Sequence, residues 1–148
     1  KASRCLEIYA RDAGVRILTF KGTLRSQIDM YPIFDFVPHV LLENAIKYSP
    51  KDQEIDVIFE EYNGSFEVTV ESIGPVVSKE ELVHVFEKKN RAQYAKVVDS
   101  SGGGYGLYFA KLICELHGIA INAESGPSLL TLDSIPYSKF KVQLSYKK

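Results

Sequence analysis

Three groups of residues have types and spacing that could do chemistry. The first is Ser100-Ser101-Gly102-Gly103-Gly104-Tyr105-Gly106, which runs directly into an apolar, helix-forming stretch. Glycines let a backbone approach an anion closely, and the first N–H groups of a helix meet it at the favourable end of the dipole. Such a loop either binds phosphate or serves as a hinge before a helix, and the glycines alone leave both readings open. No Gly-Lys-Ser/Thr follows, which excludes a P-loop, and no strand leads into it, which excludes the dinucleotide fingerprint. The second group lies in the stretch 34–49, where Val40, Asn44, Lys47 and Tyr48 share one helical face. An amide oxygen suits Mg²⁺ and a lysine suits phosphate. A water-satisfied amide beside a solvated lysine is the alternative. The third is the segment 88–99, KKNRAQYAKVVD, with Lys88, Lys89, Arg91 and Lys96 against the single acid Asp99. Just before a glycine loop it reads as a basic lid over a triphosphate, or as a solvated linker. Ser72-Ile73-Gly74-Pro75 ends a β-rich stretch. Its glycine could admit a flat ring against the backbone; alone it is a turn.

The elements that must position these groups follow from periodicity. Residues 2–12 read as a short helix ending at Gly14, and 15–20 as a strand. Residues 21–33 read as a loop with a short extended piece, broken by Pro32. Residues 34–49 read as a helix, with Pro38 tolerated in its first turn and Val37, Leu41, Ala45 and Tyr48 as its apolar stripe. Residues 54–62 and 65–73 read as strands around Asn63-Gly64, a two-residue hairpin signal. Residues 78–89 read as a helix with a Ser78/Glu81 capping box. Residues 88–101 read as irregular, 105–118 as a helix, 119–125 and 138–146 as strands, and 126–137 as a loop. A hairpin interrupting the β-α-β alternation points to an α+β two-layer sandwich, with a mixed, mostly antiparallel sheet covered on one face by helices.

The bulk properties exclude more than they assign. The chain has 148 residues, the size of a single domain, and a net charge of -1, which gives no footing for nucleic acid or an anionic membrane. No apolar run is long enough to span a bilayer, and no signal peptide opens the chain. The two cysteines, Cys5 and Cys114, stand far apart without metal-ligand neighbours, so neither a disulfide framework nor a zinc site is expected. Cys114 reads as a core residue, and a reducing compartment follows. The chain begins at Lys1, which suggests a piece of a longer protein.

Taken together, the groups resemble a known family. Leu41-Leu42-Glu43-Asn44-Ala45-Ile46-Lys47-Tyr48-Ser49 resembles the N box of histidine kinases. Val70 to Pro75 resembles the first glycine box, and Val85-Phe86-Glu87 through Arg91 the phenylalanine box. Gly102-Gly103-Gly104-Tyr105-Gly106-Leu107 resembles the second glycine box, with Lys111 and His117-Gly118 following. Order and spacing match over roughly residues 15–146. The chain is therefore identified as a member of the gyrase, Hsp90, histidine kinase and MutL ATPase superfamily, on the histidine kinase branch, and a Bergerat-type sandwich is implied.

The resemblance implies a set of roles. Asn44 would coordinate Mg²⁺ bridging the phosphates of ATP, Lys47 would sit near those phosphates, and Tyr48 near the nucleotide's edge. Gly102, Gly103, Gly104, Tyr105, Gly106 and Leu107 would form the loop at the phosphates, and Arg91 would meet the γ-phosphate during transfer. Ser72, Gly74 and Val76 would border the adenine. The implied partners are a histidine-containing dimerisation domain of the same protein, of which residues 1–14 would be the tail, and a response regulator. The implied setting is a cytoplasmic domain of a dimeric, membrane-anchored parent.

Three positions depart from the family pattern. Ser72 stands where an acid usually reads the adenine amino group, Val76 replaces a glycine, and Val40 replaces a polar residue near the metal. Gyrase, Hsp90, MutL and the anti-sigma serine kinases resemble one another in a glutamate base at the position of Val40. A valine cannot activate water or serine, whereas an imidazole acceptor is itself nucleophilic near neutral pH. The departures also motivate a rival reading, a pseudokinase that keeps the fold and acts through protein contacts. His39, His84 and His117 lack the acceptor motif, and His117 is read as structural, favoured by charge at a helix end.

Overall fold

The computed structural model describes residue 11, residue 14 and residues 16–148. But for Arg11, the helix expected over 2–12 lies outside them. In chain order the described elements are β1 (Arg16–Lys21), a 3₁₀ turn (Pro32–Asp35), α1 (Phe36–Tyr48), β2 (Glu54–Tyr62) and β3 (Ser65–Pro75). There follow α2 (Lys79–His84), α3 (Gln93–Val98), α4 (Gly106–Leu116), β4 (Ala120–Ser125), β5 (Leu130–Leu132) and β6 (Ile135–Tyr146). The strands form one sheet in the order β1-β2-β3-β6-β4, with β5 added to β6. Only β1 and β2 run parallel; the other pairs are antiparallel. The mixed, mostly antiparallel α+β sheet expected from the sequence is the observed one.

Alternation along β3 explains why helices cover one face only. Phe66, Val68, Val70, Ser72 and Gly74 point to one side, opposite Tyr146, Leu144, Val142, Phe140 and Ser138 of β6. Against this apolar row pack Val37, Val40, Leu41, Ala45 and Ile46 of α1, and Ala110, Ile113 and Cys114 of α4. The other row is polar. There the Gln143 amide donates to Glu67 at 2.6 Å, and Lys139 and Lys141 reach Glu71 at 2.8 and 3.2 Å. Such a face needs no cover. The expected α1 stripe is buried at Val37, Leu41 and Ala45, while Tyr48 is only half-buried. Cys114 is a core residue, and burial, with Glu115 nearby, pushes its thiol up to about 11.

The hairpin at Asn63-Gly64 forms as expected, with φ of 50° and 78° at the two residues joining Tyr62 to Ser65. The capping box also forms. Glu81 N–H donates to Ser78 Oγ at 3.1 Å, and Ser78 N–H to Glu81 Oε2 at 2.9 Å. Other expectations need correction. The helix begun at Ser78 stops at His84 rather than 89, because the chain turns there to start the 85–105 segment. The stretch 88–101, expected to be irregular, contains α3. Its first N–H, on Gln93, is held at 2.7 Å by the second oxygen of Glu81, a tertiary bond that local pattern cannot reveal. The loop expected over 126–137 contains β5, turned back on β6 through Asp133 and Ser134 at φ 50° and 64°.

His117 ties α4 to the approach of α1. Its Nδ1 donates to the Ile113 carbonyl at 2.7 Å, and its Nε2 accepts from the Tyr31 N–H at 3.0 Å. Tyr31 and Phe34 meet the ring edge-on, with centroids at 5.6 and 5.1 Å. A ring that donates at one nitrogen and accepts at the other is neutral. The hydrogen bonds, not charge at the helix end, therefore give His117 its structural role. His117→Ala should lower stability by about 1–2 kcal/mol through two lost bonds, read as a lower urea midpoint with an unchanged slope.

Candidate functional site

A cavity of about 290 Å³ opens between α1, the covered face of β3 and the segment from Val85 to Leu107. Asn44, Lys47, Tyr48, Ser72, Gly74, Arg91, Gly102, Gly103, Gly104, Tyr105, Gly106 and Leu107 all line it. With Val40 and Val142 at the two extremes of the lining, residues spread over more than half of the chain are brought to one place. Val76 is not among them. Its N–H donates to the Pro136 carbonyl at 2.9 Å, one step beyond the β3–β6 ladder, and its neighbour Val77 lines the cavity instead.

The walls divide by chemistry. One part is apolar and belongs to the core: Val40, Leu41, Ala45, Val70 and Val142 are each at most 8% exposed. The other part is a charged cluster. The Lys47 ammonium pairs with the Asp99 carboxylate. Arg91 approaches the same carboxylate at 3.6 Å. Its guanidinium also donates to the Gly102 carbonyl at 2.9 Å, the Tyr48 hydroxyl at 3.1 Å and the Ala95 carbonyl at 3.2 Å. The Asp99 main-chain carbonyl accepts from it as well. Ser101 N–H and Oγ donate to Asp99 Oδ1 at 3.0 and 2.6 Å. Burial opposes the charge on Lys47, but the Asp99 hydrogen bond and the attraction of Tyr48 and Asp99 outweigh it and raise its pKa. The Lys47 and Ser101 hydrogen bonds hold the Asp99 carboxyl well below the usual carboxylate range. With a lowered pKa, the pairing is fully present above the ordinary carboxylate range. It weakens only as pH falls through the lowered value, so mild acid does not open it.

The glycines have steric work in this arrangement. A Cβ on Gly102 would lie 2.8 Å from Lys47 Nζ and 3.2 Å from Asp99 Oδ2. Gly104, at φ +74°, sits so close to the chain that a Cβ would lie 2.9 Å from the Lys89 carbonyl carbon, and its own carbonyl accepts from Lys89 N–H at 2.9 Å. A Cβ on Gly106 would meet Val40 at 3.2 Å, which seats the start of α4 against α1. Of the basic residues in 88–99, only Arg91 lines the cavity; Lys88, Lys89 and Lys96 are exposed. Asp99 is the residue that sequence reasoning passed over. Its signal was being the sole acid in a basic run, directly before the glycine loop.

The arrangement has a plain chemical meaning. Two cations converge at the rim of an apolar cavity, and a carboxylate from the covering segment occupies them. Asp99 stands where an anionic ligand would find its charge partners. Asn44 is half-buried on the same wall, with no partner for its amide among the described residues.

Comparison with known proteins gives a consistent picture. Residues 38–145 match the family described as histidine kinase-, DNA gyrase B-, and HSP90-like ATPase. The sensor histidine kinase YkoH of Bacillus subtilis is 33% identical over 132 residues, which is 89% of this chain and 28% of YkoH. The chain thus spans about a quarter of the length of that relative. Among solved structures, the mycobacterial sensor histidine kinase MprB superposes with a TM-score of 0.74 at 22% identity, covering 97% of this chain and 92% of that one. Full-length ShkA in complex with AMPPNP superposes with a TM-score of 0.63 at 15% identity, covering 96% and 28%.

The charged cluster gives a direct test. Asp99→Asn removes the internal competitor for Lys47 and Arg91. Affinity for inorganic triphosphate, read by titration calorimetry at low salt, should rise roughly tenfold, about 1.4 kcal/mol.

Proposed function

The chain belongs to the family of histidine kinase-, DNA gyrase B-, and HSP90-like ATPases, and from that premise we propose that it binds Mg²⁺·ATP in the cavity and passes the γ-phosphoryl group to a histidine. The observation that carries this reading is the junction of the apolar cavity with the Lys47–Arg91 pair, whose charge is met by a single exchangeable carboxylate. An apolar slot suits a base, and two cations suit the phosphates that follow it.

The residues fit a metal held partly by the ligand. Among the described residues no group of three or more His, Cys, Asp or Glu could hold an ion unaided. Two amide oxygens, from Asn44 and Asn90, are available on the wall. That donor set suits Mg²⁺, a hard ion that keeps most of its contacts with phosphate oxygens and water. Bound there, Mg²⁺ would supply charge neutralisation on the phosphates. Lys47 would neutralise phosphate oxygens, and Arg91, released from Asp99, would meet the charge that builds on the transferred group. In transfer, an imidazole nitrogen bonds to the γ-phosphorus while the bond to the bridging oxygen breaks, and ADP leaves.

Two features support an acceptor outside this chain. Val40 is buried against Gly106 and offers no base, so the acceptor must be nucleophilic by itself. None of His39, His84 and His117 lines the cavity. His39 approaches Glu43 at 3.9 Å and His84 bonds Glu87 at 2.7 Å, while His117 is fixed between Ile113 and Tyr31. The acceptor would stand on a dimerisation domain elsewhere in a longer, membrane-anchored sensor, with this domain on the cytoplasmic side and a response regulator downstream. Among the described residues no helix is long and apolar enough to cross a membrane.

Asn44→Ala and Lys47→Ala should each weaken Mg²⁺·ATP binding by tenfold or more, read by fluorescent nucleotide displacement; without nucleotide, Asn44→Ala should leave the melting temperature nearly unchanged, whereas Lys47→Ala, which strips Asp99 of its ion-pair partner, should lower it. Wild-type protein that shows no nucleotide-dependent thermal shift at millimolar Mg²⁺·ATP would sink the kinase reading and favour the pseudokinase one.

A further inference from the structure

The base end of the cavity carries one polar side chain, and it is neutral. Val70, Ser72 and Gly74 follow one another on the covered face of β3, with Val142 and Phe140 opposite the first two on β6. With no side chain at Gly74, they make a flat floor under Leu41 and Ala45 of α1. Ser72 is 6% exposed, and among the buried residues that line the cavity it alone has a polar side chain. Its hydroxyl makes no hydrogen bond within the described residues, and its oxygen, unlike Asp56 Oδ1, is not sealed off, so it opens on the cavity. Burial, position and the missing partner together mark it as a group waiting for a ligand. Among the residues that line the cavity the only carboxylate is that of Glu43, which is exposed.

We propose that Ser72 reads the 6-position of a purine without choosing between amino and oxo groups, so that the site takes 6-oxopurine nucleoside triphosphates as well as ATP. This rests on the nucleotide-binding function proposed above and names its substrate class. The chemistry is that of the hydroxyl. It has one donor and two acceptor positions, and its hydrogen rotates freely. It accepts from a 6-amino group in one rotamer and donates to a 6-oxo group in another. A carboxylate accepts only and would be left facing an oxo group, the kind of mismatch that gives large discrimination. With a neutral hydroxyl and apolar walls, nothing at this end rejects the oxo form.

The test uses this chain with ATP and inosine triphosphate, which differ at the 6-position and at the adjoining N1, an acceptor in adenine and an N–H donor in hypoxanthine, titrated with Mg²⁺ by calorimetry. The expected result is that the two bind within about tenfold of each other. Ser72→Asp should move the ratio toward ATP by tenfold or more. Ser72→Ala, which only removes an unpartnered hydroxyl, should keep the melting temperature and weaken both ligands alike. An ATP preference above tenfold in the wild type, or a ratio that Ser72→Asp leaves unchanged, overturns the inference while leaving nucleotide binding intact. If Ser72→Asp fails to fold, the wild-type ratio and the equal losses in Ser72→Ala decide; unequal losses in Ser72→Ala overturn it. Absence of binding by both nucleotides overturns the nucleotide-binding reading itself.

Discussion

The packing of one helix against one strand governs everything else in this molecule. Val37, Val40, Leu41, Ala45 and Ile46 of α1 are buried against the covered face of the sheet. Burying a large aliphatic side chain is worth roughly 1.5–3 kcal/mol, so together these residues fix the rotation of α1 about its axis. Once that rotation is set, helical geometry leaves no freedom over where Asn44, Lys47 and Tyr48 point. Val40, Leu41 and Ala45 are both core and cavity wall. The site is therefore a by-product of the core rather than a decoration on a loop.

The segment that covers the cavity is held by different means. Between Lys88 and Asp99 only Ala92 is buried, so apolar contact contributes little. The anchors are polar: Glu81 on Gln93 N–H, Lys89 N–H on the Gly104 carbonyl, and the Lys47–Asp99–Arg91 cluster. Polar anchors of this kind are exchangeable. A phosphate oxygen can replace a carboxylate oxygen on the same ammonium and guanidinium with little change in the local electrostatics. A lid pinned by leucines would have to lose its burial to move, whereas this one needs only a substitute anion. The raised pKa of Lys47 keeps that cation charged in the covered form, ready for the exchange.

Features legible in the sequence were those whose cause is local. Asn63-Gly64 makes its hairpin because both residues accept positive φ, and the next strands follow in register. The Ser78/Glu81 box is four residues talking to themselves. α1 was legible because its burial has a helical period. What was not legible depended on distant partners. α3 is started by a carboxylate twelve residues away, and β5 turns through Asp133-Ser134, which carry no strong turn signal. Of the site, nearly every expected residue reached the cavity, because the matched boxes fall on α1, on β3 and on the connections that lead into α3 and α4. Val76 missed it: alternation would keep it on the side of Gly74, but the strand ends at Pro75 and Val77 lines the cavity instead. Asp99 escaped notice because its function is a pairing with Lys47 across the fold.

The two ends of the cavity differ in what they can tolerate when nothing is bound, and this accounts for their composition. A carboxylate at position 72, deep in an apolar floor, would face desolvation with no cation beside it, a far larger penalty than an unpartnered hydroxyl bears. Lys47 and Arg91 have the same problem at the rim, and there the solution is Asp99, supplied by the lid. An internal counter-ion needs a segment that reaches the cations, as the covering segment does with Asp99. The floor of β3 has no such segment, as its neighbours are the fixed strand β6 and the fixed helix α1. A neutral polar group therefore keeps this end polar in the empty state at a smaller desolvation cost than the acid usual at that position in the family. Under the proposed function the same reasoning separates the two ends in a nucleotide's affinity: its phosphates would bind against a competitor, its base against none.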